Sequence, residues 1–346
     1  MKKIFFALAA VAALAACSKV ENTYDDVQKE ISFAPVAKNI TKSMVTTTTF
    51  PTTESFNVWA WYKQLPASTS IEDWQNANTI ENQWYIVEKP FVNVSETATW
   101  KGQTSYYWPK LGSLLFAGYY PSSLAGNVSY EFENASMGGR NKMIFSGIYQ
   151  SSVAADTDPK TYSEDIMYFN MTGVSSAAGP VAVVFRHALS WITVNVKKSA
   201  NDPKIVIDEI KFTQVNDKGT GTVDNSAENN EIVWVTEGNV SAETVFGNNV
   251  ELDTEATKLI EPLFIPQTMN GEMVITYTIY SSDTEYFQET YRANLNSYKT
   301  SEGTAMSKWE PAKHYTYNIE IGTSEILIQP TVAPWDEVTV PVETLK

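Results

Sequence analysis

Apolar and polar residues alternate along several short segments of the chain, and this alternation predicts β-strands. In SFNVWAWYK, residues 55–63, Phe56 and every second residue after it form one face, and the residues between them form the other. WITVNVKK (191–198) and HYTYNIEIG (314–322) show the same two-residue period. Because successive side chains of a strand point to opposite faces of its sheet, each segment is expected to have one buried and one solvated face.

Turn-forming residues separate the predicted strands, as in NDPK (201–204), NDKGTG (216–221) and TMNGE (268–272). Segments with the 3.6-residue period of a helix are scarce, and residues 286–300 are the candidate for one short helix. The predicted fold class is therefore all-β, built from antiparallel sandwiches.

Small and turn-forming residues collect in TGVSSAAGP, residues 172–180, which predicts a boundary between two domains. The expected division is an N-terminal β-sandwich at residues 29–179 and a C-terminal β-sandwich at residues 180–346. Residues 17–28 are polar, acidic and without periodicity, and they are interpreted as a flexible tether.

The first 16 residues have the pattern of a secretory signal peptide. Lys2 and Lys3 precede an uncharged apolar run at residues 4–16. This run is shorter than the roughly 20 residues that a membrane-spanning helix needs. Small residues follow it, as a signal peptidase requires.

Cys17 is the single cysteine of the chain and directly follows Leu14-Ala15-Ala16. This order resembles the bacterial lipoprotein signal, which implies that the chain is cut before Cys17 and that this residue carries the lipid. The alternative interpretation is a small buried cysteine. With Cys17 acylated no thiol remains, which excludes disulfides, cysteine-ligated metals and cysteine nucleophiles.

The net charge argues against nucleic acid as a partner. Without residues 1–16 the chain keeps 23 basic and 40 acidic side chains, a net charge of about −17. A surface this acidic repels phosphate backbones and anionic lipids.

Neither histidine belongs to a recognisable catalytic motif, because the chain has no Gly-x-Ser-x-Gly nucleophile elbow. His187 continues the apolar face of a predicted strand, and we interpret it as a hydrogen-bonded, partly buried residue. His314 is expected in a turn or at a sheet edge. We therefore predict no catalytic residues, no enzyme activity and no cofactor.

No metal site is predicted either. The acidic segment DTDPKTYSED, which ends at Asp165, lacks the glycine of a calcium loop and is interrupted by Pro159 and Lys160. It is interpreted as a solvated loop. Trp74 and Trp84 lie in a polar segment where exposed indoles would stack on sugar rings, so glycan binding stays open.

The longer motifs resemble the Bacteroidales fimbrillin family, the subunits of type V pili. Most specific is TSYYWPKLGSLLFAGYYPSS at residues 104–123. The other segments, in chain order, are ISFAPV, TTFPTTESFNVWAWY, VVFRHALSWITVNV, LFIPQT, WEPAKHYTYNIEIG and VAPWDE. The resemblance implies two tandem transthyretin-like sandwiches and a packing role for His187.

The resemblance also implies assembly by strand exchange, in which a protease removes the first strand and a neighbouring subunit donates a C-terminal strand in its place. Residues 29–42 are the candidate removable strand, with Ile31 and Phe33 on one face. The candidate donor strand alternates Val338, Val340 and Val342 with polar residues and with Pro341, which lacks an amide hydrogen.

Processing is the point at which this sequence departs from the family. The best-known members are cut after an arginine, but the first arginine here is Arg140. Lys38 and Lys42 are the basic residues in the corresponding region. Either the protease accepts lysine, or the subunit keeps its first strand and its lipid and acts as an anchor.

The expected function is that of a structural subunit of a cell-surface fimbria that contributes to adhesion. Its expected partners are other fimbrial subunits, the outer membrane through the lipid, and a host or bacterial surface ligand. The alternatives are a surface lipoprotein that binds glycans, an anchor that does not polymerise, and a hydrolase.

Overall fold

The fold is given by a computed structural model. It describes residues 29–37, 50–66, 82–94, 98–132, 141–149, 165–174, 179–224, 231–237, 244–282, 284–299, 303, 305–323 and 326–335.

Nearly all regular structure in the described residues is β-strand, which confirms the predicted fold class. The helical segments among them are two single 3₁₀ turns, Ser122–Leu124 and Leu295–Ser297. The strands are β1 Ser32–Ala37, β2 Ser55–Lys63, β3 Asn82–Asn93, β4 Trp100–Gly102, β5 Ser113–Tyr120, β6 Val128–Phe132, β7 Asn141–Tyr149, β8 Met167–Val174, β9 Val181–His187, β10 Ser190–Lys198, β11 Lys204–Thr213, β12 Lys218–Asp224, β13 Ile232–Glu237, β14 Thr244–Glu251, β15 Thr257–Ile260, β16 Leu263–Phe264, β17 Gln267–Thr268, β18 Glu272–Tyr280, β19 Tyr286–Asn294, β20 Lys308–Trp309, β21 Lys313–Ile321 and β22 Ile326–Pro334.

Seven strands close into a barrel in the order β1-β4-β3-β2-β5-β8-β9. The barrel is closed by β1, which pairs with β4 on one side and with β9 on the other. The β1–β9 pair is parallel, whereas the prediction was antiparallel throughout. A second parallel pair joins β10 and β21. Parallel pairs are possible here because long stretches of chain separate the paired strands.

A sandwich of two sheets contains the later strands. One sheet has the order β15-β10-β21-β22, with β16 also paired to β10, and the other has the order β14-β11-β18-β19. The predicted faces of β10 and β21 are confirmed, because Ile192, Val194, Tyr317 and Ile319 are all buried in the core between these sheets.

A further sheet, β13-β12-β7-β6, combines strands from both sides of residue 179. Phe145 of β7 and Ile232 of β13 share a core with Trp59, Leu115 and Tyr119 of the barrel wall. The outer surface of the barrel at β2 and β5 is therefore covered by protein and not by water.

Because another sheet covers this surface, the alternation in β2 does not separate a buried face from a solvated face. Phe56 and Val58 face the barrel interior, as predicted, but Trp59 and Lys63 on the other face are also buried. Burial lowers the pKa of the Lys63 ammonium to about 8. The expectation of a solvated second face is wrong for this strand.

The chain does not leave the barrel at residue 179, since β9 follows this residue and pairs with β1 and β8 in the barrel. The first strand of the later sandwich is β10, which begins at Ser190. The division of the chain into two folding units stays a prediction, and a division anywhere between β7 and β12 would separate two strands that pair in the same sheet.

Two local predictions are wrong. Residues 286–294 form strand β19 and not a helix. Part of the predicted turn at 216–221 belongs to β12, where Gly221 packs closely against side chains of β13. A Cβ on Gly221 would lie 2.7 Å from Ile232 Cδ1 and 3.0 Å from the ring of Trp234.

Candidate functional site

The candidate removable strand lies in the closing position of the barrel. Ile31 and Phe33 are both 0% exposed. The ring of Phe33 packs edge-to-face against those of Phe91 and Phe116, with centroids 4.9 and 5.0 Å apart. Each such aromatic pair contributes about 0.5–1.5 kcal/mol beyond the burial of area. Phe33 therefore lies at the centre of the barrel core and not at its periphery.

Backbone pairing attaches β1 unequally to its two neighbours. The register with β9 covers five residue pairs, whereas the register with β4 covers two. Flanking contacts add to this, since the Ile31 N–H donates to Tyr106 O at 2.7 Å and Glu30 pairs with Lys101. Loss of β1 would leave β4 and β9 as unpaired edges around an open apolar slot.

The remaining assembly and anchoring candidates lie outside the described residues. They are the lipid attachment residue, the two processing sites and the donor strand: Cys17, Lys38, Lys42, Val338, Val340 and Val342. Their roles stay predictions.

His187 is fully buried in an arrangement that the sequence did not indicate. Its Nδ1 lies 2.7 Å from Asp165 Oδ2, and both side chains are buried. Its ring lies parallel to the indole of Trp335, with 3.9 Å between centroids. The packing role of His187 agrees with the prediction, but the solvated position expected for Asp165 is wrong.

His314 lies on β21, which pairs with β10 on one side and β22 on the other, so its predicted edge position is wrong. Its ring stacks on Trp191 at 3.6 Å, and its Nε2 lies 2.9 Å from Thr193 Oγ1. Burial, together with the positive charge of Lys258, lowers the pKa of His314 to about 4. The imidazole is therefore neutral at pH 7.

The indoles considered for sugar binding are not an open platform in the described residues. Trp84 is half-buried and meets Trp61 edge-to-face, with centroids 4.6 Å apart. Each ring thus covers the other instead of presenting two parallel faces to a pyranose. Trp74 lies outside the described residues.

The described part of the chain contains neither a grouping of metal ligands nor a helix that could span a membrane. No three His, Cys, Asp or Glu side chains within it are grouped so that they could hold a metal ion. No helix within it has the length and apolar character needed to cross a membrane.

Two family models match the sequence. Residues 1–18 match the prokaryotic membrane lipoprotein lipid attachment site, which confirms the predicted lipoprotein signal and a lipid-anchored position at the cell surface. Cys17 lies inside this match and stays the predicted attachment residue. Residues 41–335 match the fimbrillin-like family.

Solved structures share the fold at low sequence identity. A fimbrial protein from Bacteroides vulgatus has a TM-score of 0.58 and 16% identity, over 89% of this chain and 100% of the other. A candidate cell adhesion protein from Bacteroides ovatus has a TM-score of 0.51 and 12% identity, over 89% of this chain and 98% of the other. No curated protein of similar sequence was found. Because the fimbrillin-like match spans most of the chain, and the fold agrees with it, this protein belongs to the fimbrillin-like family.

Proposed function

We propose that this protein is a structural subunit of a cell-surface fimbria that contributes to adhesion and assembles by proteolysis-triggered strand exchange. The observation that carries the proposal is the position of β1, which closes the barrel between β4 and β9. Family membership and the lipoprotein signal are consistent with this role. The partners are then other fimbrial subunits and the outer membrane.

A donated strand would restore the side-chain burial and the backbone pairing that the barrel loses with β1. Removing Ile31 and Phe33 exposes an apolar slot, and each side chain contributes about 1.5–3 kcal/mol through burial. Five residues of β1 pair with β9, and the backbone groups of β9 that face them would lose these partners. A strand from a neighbour that carries alternating apolar residues would satisfy both, which is β-augmentation. Val338, Val340 and Val342 supply that alternation.

The test compares a chain that begins at residue 43 with one that begins at residue 29. The first is expected to form ordered polymers in electron microscopy and size-exclusion chromatography, and the second is expected to stay monomeric. Adding an excess of a peptide of residues 29–42 should cap the slot and stop polymerisation. A residue-43 chain that stays a folded monomer would refute strand exchange, and amorphous aggregates that the peptide does not suppress would count against it equally.

A substitution in the donor segment tests the other half of the mechanism. Val340→Asp in the residue-43 chain is expected to block polymerisation, because a carboxylate would enter an apolar slot at a cost of several kcal/mol. Thr339→Asp, on the opposite face of the strand, is the matched control and should still polymerise. Equal polymerisation of both variants would exclude this segment as the donor.

A further inference from the structure

Two segments, residues 29–31 and 106–112, hold each other in place where the chain enters the barrel. The backbone N–H of Trp108 donates to Lys29 O at 2.9 Å. The Trp108 side chain is buried and belongs to the core of the barrel. Because these contacts fix both segments, Lys29 is a defined point on the surface of the folded chain.

Two apolar side chains extend into solvent from the second segment. Leu111 is 67% exposed, the largest fraction for any large apolar side chain among the described residues, and Tyr107 is 43% exposed. The turn that presents Leu111 is closely packed, since Gly112 has a φ of +85° and a Cβ there would lie 2.5 Å from Lys63 O. Single exposed apolar residues are common on proteins. What distinguishes these two is that they lie beside the point where the chain enters.

The charges of the two segments favour a surface that carries phosphate groups. Lys29 and Lys110 are both exposed. Glu30 is the one carboxylate of the two segments, and the hydrogen bond that it accepts from Lys101 lowers its pKa. Lysine stems can cover apolar surface while their ammonium groups reach lipid headgroups. The chain as a whole is acidic, so repulsion from anionic headgroups disfavours other orientations.

The length of the preceding chain keeps a bilayer close to these side chains. Twelve residues separate Cys17, the predicted attachment residue, from Lys29. Fully extended, they span at most about 40 Å. The bilayer that holds the lipid therefore stays within this distance of Lys29. A tether this short gives an effective concentration in the millimolar range, so a weak surface contact is sufficient for docking.

We propose that Lys29, Tyr107, Lys110 and Leu111 form a docking surface for the lipid bilayer to which the chain is anchored while it still carries β1. Leu111 enters the boundary between headgroups and acyl chains, and Tyr107 lies at headgroup level with its hydroxyl hydrated. The end of the barrel at which β1 begins then lies against the membrane. The docking rests on lipid attachment at Cys17 and does not depend on strand exchange.

Fluorescence quenching by labelled lipids tests the docking. The lipidated full chain is placed in vesicles of phosphatidylethanolamine and phosphatidylglycerol that contain a nitroxide-labelled phosphatidylcholine. With Cys17 acylated, Thr104→Cys supplies a single thiol for a fluorescent probe near the docking surface, because Thr104 is exposed and precedes Tyr107 by three residues. The control is Tyr286→Cys, since Tyr286 is 66% exposed, nearly as much as Leu111, but lies on β19 of the later sandwich. Quenching at Thr104 should exceed quenching at Tyr286 about threefold.

A pair of substitutions separates docking from the nearness that the tether alone imposes. Tyr107→Ser with Leu111→Ser removes the apolar side chains and leaves the tether unchanged, and it should reduce quenching at Thr104 to the level of the control. Val233→Ser with Val235→Ser is the matched pair, because both valines are 65% exposed on β13. This second pair should leave quenching at Thr104 unchanged.

Three results would overturn the proposal. The first is equal quenching at Thr104 and Tyr286, and the second is unchanged quenching at Thr104 after the two substitutions to serine at Tyr107 and Leu111. The third is quenching at Thr104 by a nitroxide on a second copy of the chain and not by labelled lipid, which would assign the surface to a neighbouring subunit. None of these results depends on whether the residue-43 chain polymerises, so failure of the docking and failure of strand exchange are distinguishable.

Discussion

The imidazole of His187 lies parallel to the indole of Trp335, with 7° between the two planes. Asp165 contacts the same imidazole, and all three side chains are buried. This group joins the segment before β8, the end of β9 and the end of β22. The last described residue of the chain is therefore attached directly to the barrel strands.

Loss of a side chain from this group should lower the free energy of unfolding. Asp165→Ala is expected to lower the free energy of unfolding by about 1–3 kcal/mol, because it removes the carboxylate that contacts the buried imidazole of His187. The control is Glu251→Ala, which removes an exposed ion pair with Lys204 and should change stability by less than about 1 kcal/mol. Urea unfolding at pH 7 measures both. Similar losses in the two variants would contradict the structural importance of the Asp165–His187 contact.

Phe33 should dominate the contribution of β1 to barrel stability. Phe33→Ala is expected to cost about 3–5 kcal/mol, since it opens a cavity among at least three aromatic rings. Val184→Ala on the adjacent strand is the control, because Val184 is 45% exposed and should cost well under 1 kcal/mol. The measurement is the shift in the midpoint of denaturant unfolding. A loss for Phe33→Ala no larger than that for Val184→Ala would show that β1 contributes little to the folded barrel.

His314 should make stability depend on pH between about 6.5 and 4. Its pKa in the folded chain is about 4, below the ordinary value of 6.5, so the unfolded chain binds the proton more readily. The folded state is therefore destabilised as pH falls through this window, by roughly 2–3 kcal/mol at pH 4, and is unaffected above it. His314→Gln should reduce the difference in unfolding free energy between pH 7 and pH 4 by this amount. An unchanged difference would mean that His314 titrates normally.

Cys17 should carry the lipid. Cys17→Ser is expected to block acylation and to abolish retention in the membrane fraction, because several acyl chains together give stable anchoring. The measurement is fractionation of cells followed by immunodetection, with Ser18→Ala as the control that should stay in the membrane fraction. Undiminished membrane association of Cys17→Ser would refute its role as the attachment residue.

The strand pattern was predictable where one face of a strand meets a core and the other meets solvent. The alternation in HYTYNIEIG assigned Tyr317 and Ile319 to the buried face correctly. Ile31 and Phe33 were correctly expected to be buried, since two apolar residues in an i, i+2 relation lie on one face of an extended chain, although Ile31 lies just before β1. Residues 286–294 were mistaken for a helix, because a strand that is exposed over most of its length has no apolar face to give a two-residue period.

The signal segment, the β class and the residues of β10 and β21 that share a face could all be predicted from the sequence, because these features depend on local order and on a period of two. The parallel pairing of β1 with β9 and the covering of Trp59 by another sheet are visible in the folded chain alone. The same holds for the contact of Asp165 with His187. Alternation separates the two faces of a strand, but what lies against each face depends on contacts between residues distant in sequence, which leave no local pattern.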